Sequence, residues 1–145
     1  MNATDGIDAC AALCELAGRL AVGADQARPF LITFAHESAG IAPGPFWFVS
    51  AATGGRNLLP GRGFRPELDD GSRGQARHFG GIVASVAHLG PRATRSLSVH
   101  VRRDAPHSAD GRLTDEAIEF ATLVLAGELL PANASAWLAR RLCGS

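Results

Sequence analysis

A chain of 145 residues makes one ordinary domain, and folding at this size removes roughly 70% of the unfolded chain's surface from water, enough for a real core. Hydrophobic residues make up 46% of the chain and charged residues 19%, which excludes the composition of intrinsically disordered segments. Fourteen basic and fourteen acidic residues cancel, so no global field draws the chain onto nucleic acid or an anionic membrane.

In chain order, the first element is an amphipathic helix over residues 6 to 22, where Ile7, Cys10, Ala11, Cys14, Ala17 and Ala21 recur at helical spacing and Gly23 is placed to end it. The run PFLITFAHES, Pro29 to Ser38, is apolar with a polar end and is read as a short helix, with a buried strand as the alternative. Residues 40 to 74 are rich in glycine and proline, which predicts a partly extended insert with one strand at Phe46, Trp47, Phe48 and Val49. Ser72 and Gln75 have the spacing of a capping box, so a helix is expected from about Arg73, with Phe79, Ile82, Val83, Val86 and Leu89 on its apolar face and Gly90-Pro91 as the stop. SLSVHVR, residues 96 to 102, alternates as a half-buried strand does, and residues 103 to 111 read as a polar loop. Thr114, Asp115 and Glu116 open a helix over 114 to 130 with almost no polar face, the expected centre of the domain. A last short helix after Pro131 carries Trp137, Leu138 and Leu142. The fold class is thus mainly α, with α+β as the alternative: one compact helical domain over residues 1 to 145, built around the 114 to 130 helix.

Glu37 is the first candidate for chemistry. At the C-terminal end of a helix and beside Phe30, Thr33 and Phe34, burial and the negative helix pole would both favour a neutral carboxyl, the state a general acid requires. Asp69 and Asp70 are candidate second carboxylates, and His78, at the edge of the apolar face of the capped helix, is a candidate general base oriented by them. His88, ten residues further on, falls nearly opposite that face and is expected in solvent. Arg56, Arg62 and Arg65, with Trp47, are the candidate substrate-binding groups, because every basic residue here is an arginine, a planar fork suited to carboxylate, phosphate or sugar-like ligands. The order of elements, a helix closing on Glu37-Ser38, a glycine-rich extended segment and then a helical lobe, resembles a lysozyme-type arrangement over Phe30 to about Gly90. Its motif is the Glu-Ser pair, similar to that of lytic transglycosylases, and AGIAPGPFWF departs from that family's continuation. The resemblance implies glycan cleavage with Glu37 as the acid.

Other groupings point less far. His100, Asp104, His107 and Asp110 surround one loop, but Arg102 and Arg103 beside them disfavour a cation, and the spacing matches no metal motif. Cys10, Cys14 and Cys143 are read as small buried apolar residues, with Cys143 at a fraying terminus, so neither metal nor cofactor is assigned. No apolar run reaches the roughly 20 residues of a membrane-spanning helix, and Met1 to Asp8 lacks the basic residues of a signal peptide; a cytoplasmic location is expected, and a detached secreted domain fits as well. Two functions follow: a small hydrolase in which Glu37 acts with His78 or Asp69 on a small molecule or glycan, or a non-catalytic module that contacts another protein or a second copy of itself through Phe46 to Phe48.

Overall fold

A computed structural model describes residues 7–97 and 108–144. The described residues form seven α-helices: α1 Ala9–Ala21, α2 Ala27–Ala39, α3 Trp47–Ala52, α4 Gln75–Leu89, α5 Pro91–Leu97, α6 Ala109–Leu125 and α7 Pro131–Leu142. A 3-10 turn lies at Pro66–Leu68, and the β pairing among them is two isolated bridges, Asp8 with Arg62 and Phe64 with Cys143. The domain is mainly α, and none of its described helices is long and apolar enough to cross a membrane.

The helix ends follow local chemistry. Asp8 caps α1 by accepting from the Ala11 N–H at 2.8 Å. Gly40 closes α2 in the left-handed region at φ 67°, with its N–H on the His36 carbonyl. Helix α4 buries Phe79, Ile82, Val83 and Val86 and lies between α2 and α6, while α7 packs along α1. At the centre Phe34, Phe79 and Phe120 meet as a cluster with ring centroids 5.6 to 6.1 Å apart, and Trp137 extends it from α7. Helices α2 and α4 touch closely because Gly80 has no Cβ: Ser38 and Ala39 fill the place one would take.

Several expectations need correction. Residues 47 to 49 are the start of α3 rather than a strand, with Phe46 as the residue before the helix. The Trp47 N–H bonds the Gly44 carbonyl at 3.1 Å and the Val49 N–H the Phe46 carbonyl at 3.0 Å, so local turns satisfy the backbone and no partner strand is needed. Helix α4 starts at Gln75 with Gly74 as its cap, not at Arg73, because Ser72 is engaged by Asp70 and the Gln75 amide reaches back to Asp69 and Asp70 instead of closing a capping box. Gly90 ends α4 as expected, but Pro91 then opens α5: its ring fixes φ at a helical value, and the missing N–H costs nothing at a first helical position. Ser96 and Leu97 are therefore helical, and the rest of the expected 96 to 102 strand lies outside the described residues. Helix α6 begins at Ala109, where Ser108 accepts from the Gly111 N–H at 3.0 Å, and ends at Leu125; Thr114 is a buried interior residue. Its outer side carries Asp115, Glu116 and Glu119, which pair with Arg95 and Arg141, so it has a polar face that the run of apolar letters obscures.

Cys143 is not at a fraying end. Cys10 and Cys143 form a disulfide across a sequence separation of 133, and the Gly144 N–H bonds the Gly63 carbonyl at 2.8 Å. The terminus is therefore held by a covalent bond and by the insert. The insert is pinned in turn: the Arg62 carbonyl accepts from the Ala9 N–H at 2.7 Å, and Gly63, at φ 102°, lies so close to the Asp8 carboxylate that any Cβ would collide with it.

Candidate functional site

Glu37 sits on the outer side of α2. Its side chain is 39% exposed, and its charged neighbour is Arg19 at 3.7 Å, a surface pair of the kind worth little. The burial that the general-acid argument requires is absent. A cavity of about 680 Å³ adjoins it, walled by His36, Ala42, Ser50, Thr53 and Arg56, and Glu37 is the one carboxylate among its lining residues. Glycosidic cleavage in the lysozyme manner needs a second carboxyl group facing the first.

His78, Asp69 and Asp70 belong to a different place. The loop before α4 folds so that the buried Gln75 amide donates to Asp69 at 2.9 Å and to Asp70 at 2.8 Å. Asp69 also accepts from the Gly71 N–H, and Asp70 from the Ser72 N–H and hydroxyl. Burial works to raise the Asp70 pKa, but the hydrogen bonds from Ser72 and Asp110 and the charge of His78 outweigh it and hold the carboxyl below its usual 3.8. His78 Nε2 is 2.7 Å from the Thr114 hydroxyl on α6. These groups tie the start of α4 to α6. Asp110 thus joins this knot, whereas His100, Asp104 and His107 of the proposed loop constellation lie outside the described residues.

The arginine candidates divide. Arg62 donates to the Gly71 carbonyl at 3.3 Å, a bond within the insert, and Arg65 to the Arg140 carbonyl at 2.5 Å, which fastens the insert to α7. Arg56 lines the cavity beside Glu37. Trp47 and His78 line a second groove of about 700 Å³, walled by Phe48 and Ala51 of α3, Arg77, Ile82 and Ser85 of α4, and Thr94 and Leu97 of α5. Glu37, Asp69 and Asp70 are not among its described lining residues, so neither of these two cavities brings the expected acid and base together.

His88 is half-buried rather than fully in solvent, because its ring stacks on Trp47 with centroids 4.6 Å apart and planes 4° from parallel. Desolvation first, and the charge of Arg28 second, depress its pKa below 6.5. A folded-state pKa below the unfolded one means that the unfolded chain binds the proton more readily between the two values. The stability tied to His88 is therefore complete above about pH 6.5 and is lost as the pH falls through the folded value. Urea unfolding of wild type and His88→Gln between about pH 7.5 and pH 5 should show wild type losing stability more steeply; parallel curves would refute the assignment.

Sequence reading also missed a sulfur cluster. Cys10 and Cys14 stand one turn apart on α1, and the fold brings Cys143 to them, so all three Sγ atoms lie within 4.8 Å of one another. Cys14 is the free thiol, with its Sγ 3.7 Å from that of Cys143. Burial, reinforced by Asp8 and Glu15, raises its pKa to about 11. The available signal was the odd cysteine count with two sulfurs at helical i, i+4 spacing. Comparison of the chain with protein-family models, with curated proteins and with solved structures finds no match.

Proposed function

We propose that this chain is a non-catalytic interaction module that docks through α3, and that its partner is a second copy of itself. One observation carries the reading: α3 has no buried residue, and Phe46, Phe48 and Val49 are 69%, 56% and 47% exposed. Aromatic side chains concentrated on one short helix and left in water are the kind of surface that association covers. The choice of a second copy rests on charge. Residues 38 to 55 carry no ionisable side chain and the whole chain is neutral, so two such faces meet across a two-fold axis without repulsion and without stranding a charge. The hydrolase reading draws no support from the geometry, because Glu37 and His78 face separate cavities.

Sedimentation velocity tests the proposal without any assumed ligand. A small patch predicts weak, reversible dimerisation in the micromolar range or above. Wild type should shift from monomer to dimer with rising concentration, and Phe46→Ser/Phe48→Ser should stay monomeric with unchanged helix content. A wild type that remains monomeric at millimolar concentration would remove self-association.

A further inference from the structure

We propose that Cys10, Cys14 and Cys143, once the disulfide is opened, form a three-sulfur site for one trivalent thiophilic metalloid ion of the arsenite class. Geometry comes first. An ion held by three sulfurs at about 2.3 Å needs sulfur pairs about 3.5 to 4 Å apart. Cys14 and Cys143 are already 3.7 Å apart, all three sulfurs lie within 4.8 Å of one another, and opening the disulfide frees the Cys10 and Cys143 sulfurs, whose Cα atoms are 5.6 Å apart, to separate by side-chain rotation. Cys10 and Cys14 are buried and Cys143 is half-buried, so the cluster has one wet side for entry.

Charge selects the ion. Three thiolates carry three negative charges in a buried place that also feels Asp8 and Glu15, and an uncompensated charge there is costly. A monovalent ion leaves a charge of two and a divalent ion a charge of one, and zinc further requires a fourth ligand, which the cluster does not include among the described residues. A trivalent three-coordinate centre gives a neutral complex. The reaction also avoids ionised thiols. A dithiol reductant gives two electrons and two protons to the Cys10–Cys143 bond and leaves as its own disulfide. Neutral arsenous acid then exchanges each of its three hydroxyl groups for a cysteine sulfur, and each hydroxyl departs with the thiol's proton as water. The high Cys14 pKa is no obstacle to that exchange.

The test uses the full chain, reduced with a phosphine that is then removed under argon, and sodium arsenite as the probe. Native mass spectrometry should show one arsenic per chain, and a thiol count should fall from three to none. Cys14→Ser and Cys10→Ser should each weaken binding at least tenfold, and so should denaturing urea, because only the fold brings Cys143 to α1. The unreduced chain should bind none. Absence of binding by the reduced chain, equal binding by the serine variants, or undiminished binding in urea would each overturn the proposal.

Discussion

Cys143→Ser should destabilise the oxidised chain by about 2 to 5 kcal/mol, towards the upper end of that range. The bond it removes joins residues 133 apart, nearly the whole chain, and closing so long a loop withdraws more entropy from the unfolded ensemble than closing a short one. The effect acts through the unfolded state, so the urea m-value should rise as the freed ends expose more surface on unfolding. Cys10→Ser should lose less. The Cys14 sulfur stands 3.7 Å from that of Cys143 and can pair with it across a separation of 129, restoring almost the same loop. Urea unfolding of the two variants and wild type, each oxidised, measures both effects. Equal stability of Cys143→Ser and wild type would show that the bond does not hold the fold.

The parts of this fold that were legible in the sequence are those whose signal is periodic and local. Helix α1 is written in the spacing of Cys10, Cys14, Ala17 and Ala21, and its observed range, Ala9–Ala21, falls within the expected 6 to 22. Helix α2 was less so: over Pro29 to Ser38 periodicity left a buried strand as the alternative to a short helix, and the segment is helical from Ala27 to Ala39 with Gly40 as its left-handed cap. The failures share one cause: short segments whose side chains permit two local structures. Phe46 to Val49 has strand-forming residues, yet turns anchored on Gly44 and Phe46 satisfy its backbone without a partner strand. Pro91 stops one helix and starts the next, and only the stop was read. At the candidate sites the difficulty was distance in the sequence. Nothing local to Glu37 indicates that its neighbour is Arg19 rather than Asp69, and nothing local to Cys10 announces a sulfur 133 residues away. His88 was misplaced for the same reason, because the ring that covers it belongs to α3.

Phe120→Ala should cost about 3 to 5 kcal/mol, the range for removing a fully buried aromatic ring. Phe120 is 0% exposed and is the ring shared by the others: Phe34 and Phe79 lie 5.6 Å from it and Trp137 5.5 Å. Those rings come from α2, α4 and α7, so the truncation opens a void where α6 meets three other helices. In a close-packed interior the neighbours fill such a void only in part. Phe48→Ala provides the contrast, for the same chemical change on a 56% exposed side chain should stay within about 0.5 kcal/mol of wild type. Urea unfolding under conditions where wild type is monomeric compares the two directly. A similar loss in both variants would mean that Phe48 is part of the folded core and that α3 is not an uncovered face; a large loss in Phe120→Ala alone places the stability in the four-ring cluster and leaves the aromatic residues of α3 available for association.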